Sequence, residues 1–506
     1  MNGAYLKREN ANSENMPDED DENEQFEIVA KKQKFDSRNC PYLDTINRIF
    51  LDFDFEKLCS VTLSPLNVYA CLVCGIYYQG RGNSTPAYVH SGELDHHVFM
   101  NLHTLKFFCI PDNYEIIDSS LDDIKHVCNP IYTKEQIEKL GAVERVCRPI
   151  TGTPYRPGIV GLNNIKANDY CNVVLQIVSH IPPIRDFFLQ DQNYKSISRP
   201  PGDILKILLQ RLGELYRKLW NFGNFKAHVS PHEMLQAVVL CSKKVFQITK
   251  QGDAIDVLSW LLNSLHIALN GTKKLKSSII SRTLRGKMKV SSRRLIPAEV
   301  TDPEELTKFY NNPDYLEKFE EQPFTYLTLD VPPMPLFKDE QEQNVIPQIA
   351  LTTLLHKFDG VQEKEYKTYK DSTVKKFTIT TLPDFLLIYI KRFYKNNFFI
   401  EKNKTLVNFA IKGLDMSVFL TEEAKKKYKP ENCLYDLVSN VVHEDEITTE
   451  SSQKLVSNSK GHYKVHVIDR PSQKWFELQD LHVTEILPQM ITLSQAYIQV
   501  YERRKN

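Results

Sequence analysis

The pattern most specific for chemistry is a set of cysteines and histidines in the first hundred residues. Cys71 and Cys74 form a Cys-x2-Cys pair, fifteen residues separate Cys74 from His90, and five more separate His90 from His96. Such a pair points two thiolates at one ion, and two histidines can complete the tetrahedral coordination of a structural zinc. Thiolate and imidazole ligands favour zinc over harder cations. His97 follows His96 directly, and spacing alone does not choose between the two as the fourth ligand.

Residues 71–81, together with His90 and His96, resemble the zinc finger of ubiquitin-specific proteases. Fuller members of that family bind up to three zinc ions, whereas two of the three ligand sets are interrupted here. Cys40, Cys59 and Cys109 match ligands of those two sets. The residues that replace their partners are Tyr42, Thr62, Gln79, Pro86 and Asp112. The resemblance therefore implies one structural zinc ion, with the three leftover cysteines as ordinary buried thiols.

The same resemblance raises ubiquitin binding as a hypothesis. In this family the finger can hold the free carboxyl-terminal tail of ubiquitin with an aromatic platform and the arginine of a Gly-Arg motif. Tyr69 stands where the platform is usually tryptophan, and Arg81 is present. Ubiquitin binding is left open by these two residues. Because two zinc sites are interrupted, we expect the finger to serve as a protein-docking module.

Residues 158–503 carry a second resemblance, to the papain-like domain of ubiquitin-specific proteases with its fingers, palm and thumb. Six blocks of that family occur in the expected order. They cover residues 161–176, 251–256, 382–393, 435–443, 461–463 and 496–501. The resemblance predicts an α+β protein in which a small zinc-binding finger domain precedes the protease-like domain.

The catalytic residues of this family are only partly present. A cysteine protease needs a thiolate, a histidine base, a residue that orients the histidine, and donors for the oxyanion. The position of the thiolate is Asp169, and a carboxylate is a poor nucleophile because it would form a high-energy anhydride. His462 matches the histidine and Asn164 the oxyanion donor. Gln479 matches the orienting acid, and Asp480 follows it. The resemblance implies a catalytically degenerate domain, a pseudoenzyme.

Cys171 is the alternative nucleophile, two residues after Asp169. If a helix begins near Asp169, residues two apart point about 200° apart, so the thiol would face away from the site. We therefore expect Cys171 to be a small buried helix residue and Asp169 to be a helix N-cap. The competing hypothesis is an active deubiquitinase that uses Cys171.

Charge gives a second line of evidence on function. The chain has 64 Lys and Arg against 64 Asp and Glu, which argues against a protein that binds nucleic acid by bulk charge. Residues 1–39 hold 6 basic and 10 acidic side chains and predict a disordered acidic tail. We expect the zinc finger over residues 40–135, a Pro- and Gly-rich linker over 136–157, and the protease-like domain over 158–503.

Residues 271–298, the expected start of the fingers, carry nine basic residues and no acidic one. Contact with RNA phosphate or an acidic protein surface is one interpretation, and a solvated hairpin face is the other. The stretch has no aromatic residue, which argues against base stacking. Its basic residues are Lys273, Lys274, Lys276, Arg282, Arg285, Lys287, Lys289, Arg293 and Arg294.

A one-zinc finger followed by a protease-like domain with Asp in place of Cys is identified as a member of the tri-snRNP-associated protein 2 family. Its phrases occur at residues 114–120, 161–169, 476–481 and 486–493. The resemblance implies a nuclear, non-catalytic scaffold that maintains the tri-snRNP and contacts its large scaffold and helicase subunits. Consistent with this, the sequence contains no apolar run of membrane-spanning length and no apolar signal-peptide core at its start. The cluster at residues 31–34 resembles a nuclear import signal.

Overall fold

The structure is a computed structural model that describes most of the chain after residue 39. The described residues are 40–150, 152–296, 309, 312, 315–333, 346–367, 372–395, 400–445 and 461–504. The acidic tail predicted for residues 1–39 lies outside them. The chain divides into two compact units, Met1–Cys128 and Asn129–Asn506.

The first unit contains a small sheet and, among its described residues, two α-helices, the first of which includes His90 of the zinc motif. Its sheet is antiparallel throughout, in the order β2-β1-β3-β4-β5. Every residue of β1, β3 and β4 is buried, so these short strands form the core. In its described residues the elements are β1 (Val68–Cys71), β2 (Tyr77–Gln79), α1 (Pro86–Leu94), β3 (Val98–Asn101), β4 (Phe107–Cys109), β5 (Tyr114–Ile116) and α2 (Asp122–Cys128).

The second unit begins with helices and ends with strands, which is an α+β arrangement, as predicted. Its described helices are α3 (Lys134–Lys139), α4 (Asp169–Ser179), α5 (Pro182–Leu189), α6 (Gln192–Lys195), α7 (Leu205–Leu219), α8 (His232–Cys241), α9 (Ala254–Ala268), α10 (Ile279–Leu284), α11 (Leu351–Leu355), α12 (Glu422–Lys425) and α13 (Pro488–Thr492). None of the described helices has the length and apolar character needed to cross a bilayer.

The described strands of the second unit form one large sheet, one four-stranded sheet and three pairs. The described strands are β6 (Gly161–Leu162), β7 (His228–Val229), β8 (Gly286–Arg294), β9 (Lys318–Phe324), β10 (Tyr326–Asp330), β11 (Gln348–Ala350), β12 (Lys364–Lys367), β13 (Ser372–Thr381), β14 (Phe385–Lys391), β15 (Phe393–Lys395), β16 (Ile400–Lys402), β17 (Leu406–Asn408), β18 (Leu414–Asp415), β19 (Leu434–Asp445), β20 (Gly461–Asp469), β21 (Lys474–Gln479), β22 (His482–Ile486) and β23 (Ala496–Arg503).

The large sheet and the helices position the residues of the expected catalytic centre. The sheet runs β10-β14-β23-β19-β20-β21-β22, with β18 beside β19, and only the β10–β14 pair is parallel. The apolar run at residues 385–390 forms most of the interior strand β14. All eleven residues of α4 are buried, and α4 packs on β20 and α9. The start of α4 is therefore held against the strand that carries the histidine.

Residues 129–157 differ from the linker expected over residues 136–157. Helix α3 begins after Thr133, whose side chain forms a capping box with Gln136. The Tyr132 hydroxyl donates to the carbonyl of Arg217 at 2.8 Å, and Ile137 joins the helical core. These contacts attach the segment to the second unit. The free energy gained by burying Tyr132 and Ile137 outweighs the tendency of the neighbouring prolines and glycines to form exposed turns.

Candidate zinc site and degenerate catalytic centre

The cysteines and histidines of the finger converge on one point. Cys71 ends β1, Cys74 lies on the following turn, His90 is in α1, and His96 comes just after that helix. Their ligand atoms all lie within 4.8 Å of one another. Cys71 Sγ is 3.6 Å from His96 Nδ1, and Cys74 Sγ is 3.5 Å from His90 Nε2. The two histidine nitrogens are 3.0 Å apart. A tetrahedral zinc with these ligands separates its donor atoms by about 3.3–3.8 Å. The two sulfur–nitrogen distances lie in this range and the nitrogen–nitrogen distance is slightly shorter, so small side-chain shifts would seat the ion.

A glycine shapes the turn that holds the two thiols. Gly75 has φ +78° and donates its N–H to the carbonyl of Cys71 at 2.8 Å. A Cβ on Gly75 would lie 2.1 Å from the carbonyl oxygen of Phe50. This atom belongs to the backbone and cannot move aside as the end of a flexible side chain could. The turn between the two cysteines therefore requires glycine at its end.

The structure places His96, and not His97, in the cluster. His97 Nδ1 lies 3.0 Å from the carbonyl oxygen of Ile110 and 3.3 Å from Ser91 Oγ. Its ring packs against that of Tyr42, with centroids 4.1 Å apart and planes tilted by 42°. Asp95, in the left-handed region at φ +54°, ends α1 and turns the chain between His90 and His96. After this turn His96 lies beside His90, whereas His97 contacts the carbonyl of Ile110.

One interrupted ligand set has been rebuilt as a hydrogen-bonded cluster. Cys59 is fully buried, and its sulfur accepts from the N–H groups of Gln79 at 3.2 Å and Thr62 at 3.4 Å. The Thr62 hydroxyl donates to Gln79 Oε1 at 2.8 Å. Thr62 and Gln79, at the positions where the resemblance expects ligands, are therefore still close together and are joined by a hydrogen bond.

The other interrupted set also stays together. Cys40 and Cys109 are buried, as expected, and Cys109 Sγ is 3.8 Å from Asp112 Oδ2. Within the described residues the Cys71–His96 group is the one set of three or more ligand side chains close enough to hold an ion.

The two residues proposed for the ubiquitin tail lie on one aromatic ring. Tyr69 is only 1% exposed and packs edge-on against Phe108, with ring centroids 6.0 Å apart. The Arg81 guanidinium lies 4.3 Å above the same ring and donates to Asn113 Oδ1 at 2.8 Å. Tyr69 thus presents no open aromatic face. The sequence did not single out Phe108 and Asn113, since neither belongs to the quoted motif.

Asp169, at the position of the nucleophile, bridges three segments of the second unit. It is 3% exposed and is the first residue of α4. Its Oδ2 accepts from the N–H of Tyr463 at 3.0 Å and from Gln251 Nε2 at 2.9 Å. Gln251 Nε2 also donates to the carbonyl of Gly461 at 2.6 Å. The carboxyl group thereby joins α4, the β20 strand and the loop before α9.

The expected N-cap role of Asp169 was wrong. Asn168 is the N-cap residue, and Asp169 lies within the first turn. The donors of Tyr463 and Gln251 reach the carboxyl group from other elements of the second unit. Burial raises the pKa of Asp169, and the nearby Asp480 carboxylate adds to the rise while the Tyr463 and Gln251 donors oppose it. Its Oδ1 is buried with no hydrogen-bond partner among the described residues.

The predicted oxyanion donor and Asp480 are engaged with each other. Asn164 Nδ2 donates to Asp480 Oδ2 at 3.0 Å, and Asn172 Nδ2 donates to Asp480 Oδ1 at 3.2 Å. Asn168 links the two amides, donating its N–H to Asn164 Oδ1 at 3.1 Å and its Nδ2 to Asn172 Oδ1 at 3.0 Å. Both oxygens of Asp480 are therefore occupied by asparagine amides. The four-residue spacing of the three asparagines was the available sequence signal for this network.

The other catalytic positions lie near the ends of two interior strands of the large sheet, β20 and β21. His462 is exposed on β20 and pairs across the sheet with Glu444, while its neighbour Tyr463 is buried. Gln479 ends β21, and among the described residues its side chain makes no hydrogen bond. An amide cannot supply the negative charge with which a carboxylate stabilises an imidazolium.

Cys171 lies in the core, as expected. Its side chain is 2% exposed, and burial raises the pKa of its thiol to about 12. The thiolate is the reactive form of cysteine, so almost none is present at neutral pH. This geometry does not favour Cys171 as a relocated nucleophile.

The basic stretch divides into two parts. From Lys287 onwards the residues lie on β8, which pairs with β9 and β13. There Lys287 forms an ion pair with Glu321 at 2.8 Å, and Arg293 with Glu363 at 3.1 Å. Lys289 Nζ lies 4.3 Å above the ring of Phe319. The earlier part lies on α10 and the turn before it, and its lysines are exposed.

Comparison with known proteins agrees with both resemblances. Residues 160–501 match the family model "Ubiquitin carboxyl-terminal hydrolase", and residues 57–121 match "Zn-finger in ubiquitin-hydrolases and other protein". Human ubiquitin carboxyl-terminal hydrolase 39 is 57% identical over 97% of this chain and 85% of its own length. Pre-mRNA-splicing factor SAD1 of Saccharomyces cerevisiae is 32% identical over 96% of this chain and 98% of its own.

A solved structure shows the same fold. The crystal structure of an essential yeast splicing factor is 31% identical, with a TM-score of 0.68, and the match covers 92% of this chain and 100% of that one. The predicted fold, a zinc finger followed by a ubiquitin-specific-protease domain, is confirmed by these matches. The chain therefore belongs to the ubiquitin carboxyl-terminal hydrolase family and, within it, to the group of the splicing-factor homologues.

Proposed function

We propose that this protein is a non-catalytic scaffold of pre-mRNA splicing that associates with the tri-snRNP and maintains it through protein docking. Relatives named as splicing factors support a splicing role. The observation that carries the non-catalytic part is the Asp169 bridge, which puts a buried, hydrogen-bonded carboxyl group where a cysteine protease needs a thiolate.

The rest of the centre supports the same conclusion. The Asn164 amide is bonded to Asp480, so it would have to leave that carboxylate to stabilise an oxyanion. Gln479 offers an amide in place of an orienting acid. The loss of catalysis is thus spread over several positions, and the hydrogen bonds formed there stabilise the fold instead.

The finger would hold one structural zinc through Cys71, Cys74, His90 and His96. When bound, the ion supplies four bonds that cross-link β1, the following turn and helix α1. A small unit with a limited core depends on such a cross-link. The hydrogen-bonded Cys59 cluster supports the count of one ion, because Thr62 and Gln79 already satisfy each other there.

As a scaffold, the protein would bind its partners through both of its units. Two binding modules on one chain raise the effective concentration of the second once the first is bound. We place the protein in the nucleus, with the large scaffold and helicase subunits of the tri-snRNP as its partners. The former ubiquitin face of the protease-like domain would be one docking surface and the finger another.

The test is a pull-down of the tagged full chain from nuclear extract, scored for the small nuclear RNAs of the tri-snRNP. The proposal expects these RNAs to be recovered above a tag-only control. Their absence would contradict it.

Two rival functions are tested separately. An active deubiquitinase would cleave a ubiquitin–fluorophore substrate, whereas the scaffold leaves it intact. A ubiquitin receptor acting through Tyr69 and Arg81 would show saturable binding on titration with ubiquitin, and Arg81→Ala would weaken it. The burial of Tyr69 favours the absence of such binding.

A further inference from the structure

Three exposed lysines lie together on the turn that joins α9 to α10. Lys273, Lys274 and Lys276 are all exposed, and none has an acidic partner among the described residues. Residues 271–285 contain no aspartate or glutamate at all. The positive charge of this turn is therefore not neutralised locally, in contrast to that of β8, where Lys287 and Arg293 are paired with glutamates.

The turn is closed by its own side chains. Ser277 Oγ accepts from the N–H of Thr272 at 2.9 Å and donates to the carbonyl of Thr272 at 3.0 Å. The Thr272 hydroxyl accepts from the N–H of Lys274 at 3.3 Å. These bonds hold the three lysines on a defined loop rather than on a flexible one.

A buried histidine anchors this loop to the helical core. His266 Nε2 donates to the carbonyl of Thr272 at 3.1 Å, since a carbonyl can only accept. His266 Nδ1 then accepts from the hydroxyl of Ser278 at 2.7 Å. A Cβ on Gly271 would lie 2.2 Å from His266 Cε1, so glycine is needed for this close approach. The base of the turn is thus fixed on α9 and at the start of α10.

We propose that the turn of residues 272–277 binds the phosphate backbone of RNA through Lys273, Lys274 and Lys276, without reading the bases. This inference rests on the proposed function, because association with a ribonucleoprotein brings RNA next to the chain. Lysine ammonium groups contact phosphates as point charges, and each such contact releases condensed counterions. The turn has no aromatic side chain on which a base could stack.

The composition of the turn favours phosphate over an acidic protein surface. The cores of protein–protein interfaces are depleted in lysine and enriched in tyrosine, tryptophan, phenylalanine, methionine and arginine. The turn presents three lysines, and Leu275, its one large apolar residue, is half-buried. It therefore lacks the apolar anchor that a protein partner would need.

The experiment measures binding of the full chain to a fluorescein-labelled oligouridylate by anisotropy over a series of salt concentrations. The triple variant Lys273→Gln, Lys274→Gln, Lys276→Gln should bind about tenfold or more weakly at low salt. The slope of log K against log[salt] should fall in magnitude by about 2, from three contacts of about 0.7 each on a single strand.

Two matched variants make the result specific. Lys287→Gln, Lys289→Gln, Arg293→Gln removes the same charge from the paired strand and should retain most of the binding. Replacing the three turn lysines by arginine keeps the charge and should also bind. Equal losses in the turn and strand variants would overturn the inference, as would no loss in the turn variant. Turn-dependent binding to polyglutamate at least as tight as to the oligouridylate would overturn it in favour of an acidic protein surface.

The pull-down from nuclear extract separates this inference from the proposed function. If the wild type recovers the small nuclear RNAs but oligouridylate binding does not depend on the turn, the phosphate contact alone is wrong. If the wild type recovers none of them, the scaffold function fails whatever the anisotropy shows.

Discussion

The finger and the protease-like domain each contain positions where family ligands or catalytic groups have been replaced, and the outcomes differ. In the finger, Cys71, Cys74, His90 and His96 keep a full set of donor atoms around one point. In the second unit, Asp169 and Asp480 have become acceptors for neighbouring amides. The finger thus has donor atoms arranged for a metal ion. In the second unit the residues at the expected catalytic positions are held in hydrogen bonds with one another and with neighbouring groups.

The difference follows from what each site contributes to stability. A four-ligand metal site depends on every ligand, because the ion itself supplies the cross-link. A catalytic centre stabilises a transition state and contributes little to folding, so neighbouring side chains can form new hydrogen bonds when the nucleophile is replaced. The finger contains a similar case. Hydrogen bonds join Cys59, Thr62 and Gln79, at positions where the resemblance expects a set of metal ligands.

The largest effect is expected from Cys71→Ser, which should abolish zinc binding and unfold the finger. Structural zinc sites supply roughly 10 kcal/mol or more of apparent binding free energy in small finger peptides. Zinc content by mass spectrometry should fall from one equivalent to none, and hydrogen exchange over β1–β5 should lose protection. All three tryptophans, Trp220, Trp260 and Trp475, lie in the second unit, so their fluorescence transition should be retained.

The matched control is Cys59→Ser, which should keep the ion because Cys59 is outside the ligand set. Two equivalents of zinc in the wild type, or loss of zinc in this control, would break the contrast between the intact and the repaired sets.

The second largest effect is on the stability of the second unit and concerns Asp169. Asp169→Ala should destabilise the second unit by about 2–4 kcal/mol, because the Tyr463 N–H and the Gln251 amide lose a buried acceptor. Asp169→Asn keeps an acceptor oxygen and should cost less than about 1 kcal/mol. Urea unfolding followed by tryptophan fluorescence measures both. Equal stability of the wild type and Asp169→Ala would show that the bridge is not structural.

A smaller effect is expected from pH. The pKa of Asp169 is raised in the folded state, mainly by burial, so its stabilising contribution is complete below the unfolded value of about 3.9. That contribution is lost as the pH rises through the folded pKa, at about 1.4 kcal/mol for each unit of elevation. Relative to Asp169→Asn, the wild type should therefore become less stable between pH 4 and pH 7. A flat difference, or one of opposite slope, would refute the raised pKa.

The smallest expected signal is at Cys171. Because burial raises the pKa of its thiol to about 12, a ubiquitin vinyl-type probe should leave the protein unlabelled. Cys171→Ser should give the same result as the wild type in a ubiquitin–fluorophore assay, namely no turnover. An adduct mapped to Cys171 by peptide mass spectrometry would show that the protease-like centre retains chemistry and remove the contrast with the finger.

Much of the architecture could be predicted from motifs. The contacts that join one segment to another could not. The helix that begins at Asp169 and the order of the domains follow from motifs within short stretches of the chain. The segment before the protease-like domain was expected to be a linker, yet Tyr132 and Ile137 anchor it to the second unit. That anchoring depends on a distant surface, which no local window contains.

The site residues divide in the same way. The zinc ligand types and spacing were evident from the sequence, but the choice of His96 over His97 required the turn at Asp95 and the contact of His97 with Ile110. That Asp169 occupies the position which the resemblance assigns to the nucleophile was also evident. Its bond to Tyr463 was not, because the two residues are far apart in the chain.

The sequence by itself therefore determined the identity of the chemical groups: two cysteines and two histidines at metal-ligand spacing, a carboxylate where the family resemblance expects a thiolate, and a run of basic residues. These are properties of residue type and short spacing. The tertiary structure decided which groups meet. It joined Asp480 to two asparagines, paired Lys287 and Arg293 of β8 with glutamates, and left the lysines of the 272–277 turn exposed. Such contacts arise when distant segments pack, and the packing of the whole core selects them.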